Sequence, residues 1–169
     1  MLSGKLNFFN NLLSRPYNTI SSLFIPSDTF IRFYYLSLIN EGNNEWSIHG
    51  LWPQYTPTSY PTYCGKVSFD ISKLELILPE LNQYWYSEDK TETKNADFWK
   101  HEYLKHGSCV FTPLNELEYF EKTLELYKSA VEQNIPINHF NKKTNKCLIP
   151  VDLNFKFYIQ NTNIDLIVV

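Results

Sequence analysis

The sequence predicts an α+β fold, a single domain in which a central, mostly antiparallel sheet carries several packed helices, and three observations predict it. Aromatic and β-branched runs stand towards both ends, at residues 29–39 and 151–169. Between them, apolar residues recur at helical spacing in three stretches. No repeat or low-complexity block divides the chain, and 169 residues suffice for one sizeable core rather than two.

Taken in order, residues 1–28 are rich in Asn, Ser and Pro without a clear period and read as an N-terminal extension to a domain over 29–169. Asn7, Asn10, Asn11 and Ser14 interrupt the apolar run that a secretory signal needs, so no signal is legible there. Thr29 to Ile39 is predicted as a strand, Asn40 to Asn44 as a turn, and Trp46 to His49 as the second arm of a hairpin. Pro53, Pro57, Pro61 and Gly65 then predict an irregular loop from Gly50 to Ser68, a candidate binding surface. Ile71, Leu74, Leu78, Leu81 and Trp85 give a helical period over 70–86, with a break expected at Pro79. A short helix is expected from Asn95 to His106. A third is announced by Thr112-Pro113, carries the stripe Leu114, Leu117, Phe120, Leu124 and Val131, and closes at Pro136. Leu153, Phe155, Phe157 and Ile159 alternate with polar residues, which predicts a strand from Val151, and Ile164 to Val169 is strand-like again.

A net charge of −3 and a pI near 5.8 exclude broad, sequence-independent neutralisation of nucleic-acid phosphates. Any positive charge directed at a phosphate must be confined to one site. Aromatics reach 17%, enough for a ring-built core and for exposed rings on which bases stack. Cys64, Cys109 and Cys147 permit one disulfide with one thiol left over, and their spacings make no zinc framework. No run approaches a membrane span, and no asparagine heads a glycosylation site.

The segment Phe98 to Cys109 carries the densest chemistry. With His101 at zero on a helical projection, Lys105 falls at about 40°, Glu102 at about 100° and His106 at about 140°, so four ionisable groups share one face beside Phe98 and Trp99. Three other readings compete. Glu102 and Lys105 could be an ordinary surface pair. A zinc site of H-E-x-x-H type is opposed by Lys105, an ammonium in the second ligand position. Cys109 could be a thiol nucleophile near His106, although no signature of such enzymes surrounds it. The second segment, Trp46 to Pro53, closes a strand on His49, and Gly50 is read as a sharp turn that presents Trp52. RNA cleavage through the 2′-hydroxyl needs one group to remove a proton and another to protonate the departing 5′-oxygen. Histidines facing each other across a cleft meet that need, because an ordinary pKa of about 6.5 lets one be neutral and the other charged. Lys105 and a protonated His101 would stabilise charge on the phosphoryl oxygens, and Glu102 could hold an imidazole or accept a proton.

The strings SIHGLWP and FWKHEYLKHGSC resemble the two active-site segments of the ribonuclease T2 family, in the family's order. That resemblance implies a ribonuclease T2-like fold and an endoribonuclease acting on single-stranded RNA, without metal or cofactor, through a 2′,3′-cyclic phosphate. It implies that His106 is the general base and His49 the general acid, that Glu102 and Lys105 stabilise the transition state, and that His101 binds phosphate. It further implies that Trp52 and Tyr60 hold the base on the 5′ side of the cut, that Phe98 belongs to a second base site, and that Cys64 and Cys109 form a disulfide. A monomer with a secreted, lysosomal or vacuolar address is expected on the same ground. Three departures from the family pattern stand out. Gln54 replaces a usually acidic residue that helps read the base, so base preference is open. The first strand lacks the family's Gln-Trp-Pro. Cys147 has no later cysteine to pair with in this sequence, where the family generally closes a bond. The rivals from other classes are a catalytically silent relative that binds RNA or another partner in the same cleft, and a metallohydrolase.

Overall fold

The computed structural model describes residues 32–160 and 166–168, so the extension and the first residues of the predicted first strand, Thr29 to Ile31, lie outside the described residues. Strand β1 runs Phe33–Gly42 and pairs antiparallel with β2, Glu45–Gln54. Asn43 and Asn44 form the turn at φ 51° and 62°. Asparagine tolerates this left-handed region, and two such residues in succession match the twist of a tight hairpin. Strand β2 continues through the segment predicted to be loop from Gly50. Pro53 is tolerated there because the sheet order β2-β1-β4-β3 makes β2 an edge strand.

A 3-10 helix, Ile71–Ile77, capped by the Asp70 side chain, passes into α1, Leu78–Tyr84. Pro79 therefore begins an α-helix where a break was expected, because a proline in the first turn loses no intrahelical bond. Helix α2 spans Glu92–Lys105 and opens on the Thr91 cap. Helix α3, Glu116–Glu132, starts three residues later than Thr112-Pro113 suggested. Asn115 and Glu118 form a reciprocal capping box at its start, whereas the Thr112 hydroxyl donates to the Leu153 carbonyl at 2.9 Å. A short α4, Ile135–Asn138, takes up Pro136.

The C-terminal part departs furthest from expectation. Strand β3, Phe140–Asn141, pairs with β4, Lys146–Val151, a strand the period had not signalled, and β4 pairs antiparallel with β1. The alternation from Val151 is interrupted: Val151 ends β4, Leu153 to Phe155 form a turn, and only Tyr158 to Gln160 is strand again. The Asp152 carboxylate accepts from the Asn154 and Lys156 amides at 2.8 Å each, and Phe155, at φ 62°, stacks on Tyr34 at 5.3 Å. The pattern there reflects rings packing on the core. Two short strands, β5 (Tyr158–Gln160) and β6 (Leu166–Val168), pair separately from the main sheet.

The core lies between the sheet and the helices, with Tyr34, Leu36, Leu38, Ile48, Leu51 and Ile149 packed against Leu74, Leu81, Trp85, Tyr119 and Phe120. Three helix-side rings also donate hydrogen bonds to β2 carbonyls: Tyr127 to Trp46 at 2.7 Å, Trp85 to His49 at 3.0 Å and Tyr119 to Leu51 at 3.1 Å. Much of the aromatic excess is thus structural, joining apolar bulk to a polar tip that fastens the edge strand.

Candidate active site

Gly50 pairs with Ser37, while the next register pair is Ile48 with Leu38, so His49 is the extra residue of a β-bulge. A bulge bends the strand and re-aims its side chain, here towards α2. The sharp turn expected at Gly50 is not present. Its missing side chain serves close approach instead, because a Cβ there would fall on the Glu102 carboxylate and 2.7 Å from Trp52 Nε1. The Glu102 side chain is 2% exposed. Its Oε2 accepts from the Trp52 indole at 2.9 Å, and its Oε1 lies 3.7 Å from His49 Nε2.

His106 caps α2 with φ −115° and ψ −48°, one residue beyond the helix proper. Its amide still donates to the Glu102 carbonyl at 2.9 Å. The ring stacks on Trp52, with centroids 5.3 Å apart and planes 29° apart. Trp52 meets the edge of His49 at 5.1 Å, and Phe98 meets His49 at 5.6 Å, also edge-on. The two imidazoles are therefore held against one indole. Trp99 points away from this cluster; it is buried and donates to the Trp85 carbonyl at 2.6 Å.

These groups line a cavity of about 290 Å³. The sheet contributes His49, Trp52, Gln54 and Lys146; α2 and its cap contribute Phe98, His101, Glu102, Lys105 and His106; Tyr60 reaches in from the following loop. All nine residues singled out from the sequence for reaction or substrate contact meet here, and Lys146 joins them unannounced. A larger open groove of about 500 Å³ between Ile77 and α3 is lined by Glu80, Glu121, Glu125 and Glu132 against the single cation Lys128, and has no imidazole. It would repel a polyanion.

Burial sets the protonation of the cluster. Loss of water, reinforced by Lys146, Lys105 and His101, lowers the His49 pKa to about 4. Burial, then Lys105, His101 and His49, lowers that of His106 to about 3. His101 is lowered by burial and by Lys105. Burial raises Glu102 to about 7, against the opposing pull of the Trp52 hydrogen bond and the two lysines. The His49–Glu102 contact is therefore one between neutral partners at mildly acidic pH. The Nδ1 atoms of both His49 and His106 are buried without a hydrogen-bond partner among the described residues.

A cleft combining two held imidazoles, a buried carboxyl and two ammonium groups suits acid–base work on a phosphate ester, and residues 32–144 match the family model described as Ribonuclease T2 family. The chain belongs to the ribonuclease T2 family. Ribonuclease DdI of Dictyostelium discoideum is 37% identical over 90 residues, which are 52% of this chain and 39% of that protein. Ribonuclease Oy of Magallana gigas is 39% identical over 98 residues, 55% of this chain and 46% of that one. The chain therefore spans less than half the length of either relative. Ribonuclease MC1 from the seeds of bitter gourd superposes with a TM-score of 0.56 at 18% identity, covering 73% of this chain and 90% of that structure, a likeness of fold.

In this ribonuclease T2 family member, a disulfide joins Cys64 to Cys109, with Cα atoms 4.9 Å apart, and Cys147 is a free, buried thiol. Around the bond, the Tyr63 amide donates to the Lys105 carbonyl at 3.0 Å, the Cys64 amide to Ser108 Oγ at 2.9 Å, and Ser108 Oγ to the Leu104 carbonyl at 2.7 Å. The loop carrying Tyr60 thus occupies the Lys105 carbonyl at the end of α2, and Ser108 links the same loop to the Leu104 carbonyl. Replacing both cysteines by serine is expected to destabilise the fold by about 2–4 kcal/mol. Denaturant midpoints of the two proteins would test this, and coincident midpoints would show that the bond constrains nothing.

Lys146 escaped sequence reasoning because no local motif surrounds it. Its only local sign was a lysine beside a cysteine with apolar residues following, a pattern shared by many strands.

Proposed function

We propose that this chain is an endoribonuclease that cleaves single-stranded RNA by metal-independent transesterification. The observation that carries the reading is that His49 and His106 contact the same Trp52 ring, inside a cleft also lined by Glu102, His101, Lys105 and Lys146. In the proposed reaction the neutral His106 removes the 2′-hydroxyl proton as the 2′-oxygen attacks phosphorus. The bond from phosphorus to the 5′-oxygen breaks, and protonated His49 donates its proton to that oxygen. The products are a 2′,3′-cyclic phosphate and a free 5′-hydroxyl.

Lys105 and His101 stabilise the charge that develops on the non-bridging oxygens. Glu102, kept protonated by burial below about pH 7, can approach those oxygens as a donor rather than as a repelling charge. Trp52 and Tyr60, which is 53% exposed, hold the base on the 5′ side of the cut, with Gln54 at its edge, and Phe98 serves the base on the other side. The Cys64–Cys109 bond supports an oxidising compartment, secreted, lysosomal or vacuolar. Among the described residues, no helix is long and apolar enough to cross a membrane.

Cleavage of a short single-stranded RNA with excess EDTA, followed from roughly pH 4 to 8, tests the proposal. Cyclic-phosphate ends formed along a bell-shaped profile are expected. No cleavage by folded protein would point to a silent, RNA-binding relative, and loss of cleavage on chelation to a metallohydrolase.

A further inference from the structure

Lys146 opens β4, where the register sets it opposite Ile39 of β1 and Asn141 of β3. Burial along β4 alternates, with Cys147, Ile149 and Val151 in the core, so Lys146 belongs to the other face. There its ammonium stands over the Trp52 ring, 5.7 Å from the centroid, and lines the cleft with both imidazoles. The ion pairs found among the described residues do not include Lys146 or Lys105. Two cations thus enter one partly buried cleft from different walls without a carboxylate paired to either among the described residues, in a chain of net charge −3. Such an arrangement is unfavourable by itself and becomes favourable when an anion lies between the charges. Residue 146 also falls outside the segment 32–144 matched to the family model, so that match assigns it no role.

We propose that Lys146 is a further substrate-binding residue, whose ammonium holds a non-bridging oxygen of the reacting phosphodiester from the sheet wall while Lys105 holds the phosphate from the α2 wall. The placement rests on the endoribonuclease reading above. Lys146 lies near enough to His49 and Glu102 to affect the protonation of both, which sets its charge beside the proposed general acid. Its contact with Trp52 allows a cation–π interaction, and a phosphate oxygen offers the same ammonium a stronger, charge-assisted bond.

The experiment compares Lys146→Gln and Lys146→Arg with the wild type, measuring affinity for a nucleoside 3′-monophosphate and for the same nucleoside without phosphate. Lys146→Gln is expected to weaken nucleotide binding about 10-fold or more and leave nucleoside binding unchanged, with Lys146→Arg restoring most of the loss. The salt dependence of RNA binding should also become shallower, by about 0.7 in log–log slope. Equal weakening of nucleotide and nucleoside would make Lys146 a packing residue for Trp52 and overturn the proposal, as would no change in either. Both readouts are binding measurements, so they stand apart from the cleavage assay. Wild-type protein that binds the nucleotide through Lys146 but cleaves no RNA would refute the endoribonuclease reading and leave this contact intact.

Discussion

His106→Ala and His49→Ala are each expected to lower kcat/KM for RNA by about 10²- to 10⁴-fold, the usual range for removing a positioned acid or base. The two losses should respond differently to the leaving group. An aryl phosphodiester of a nucleoside 3′-phosphate expels a phenolate that needs no protonation, so a missing general acid costs little there while a missing general base costs as much as before. His49→Ala should regain most of its activity on that substrate, and His106→Ala should not. The reverse pattern would exchange the two roles, and failure of both to recover would show that neither acts only as the acid. Truncation at His49 leaves the backbone carbonyl that accepts from Trp85, so this anchor of β2 survives the substitution.

Glu102→Gln is expected to change the pH dependence of both stability and activity. Burial raises the folded-state pKa to about 7 from an ordinary value of 4.5, so between those values the native protein binds a proton that the unfolded chain does not. The stability linked to that proton is fully present below pH 4.5 and is lost as pH rises through 7. Glutamine does not titrate and can still accept from the Trp52 indole. Relative to the wild type, Glu102→Gln should therefore gain on the order of 3 kcal/mol as pH rises across this window, since the depressed His49 and His106 contribute to both proteins alike. Chemical denaturation at several pH values measures the difference, and a constant gap would refute the raised pKa. Activity should follow the same sign. Above pH 7 a charged Glu102 repels the phosphate, so the ratio of kcat/KM in the variant to that in the wild type should rise through pH 7.

The sequence by itself determined the α+β class, the hairpin around Asn43-Asn44, the ionisable face of α2, and the two segments whose resemblance led to the family. Those features rest on interactions between near neighbours: a turn, a cap, a helical period, a run of residues that must stand together to react. Tertiary structure alone decided the rest. The bulge that aims His49 exists only through the register of β2 against β1, and Gly50 is explained by a carboxylate from a distant helix rather than by a turn. Lys146 enters the cleft because β4 pairs with β1, bringing residue 146 opposite residue 39. The protonation of Glu102, His49 and His106 likewise follows from burial and from charges on other elements. A local pattern specifies which conformation a segment prefers; which groups lose water together, and which charges then face one another, is decided only when distant segments pack.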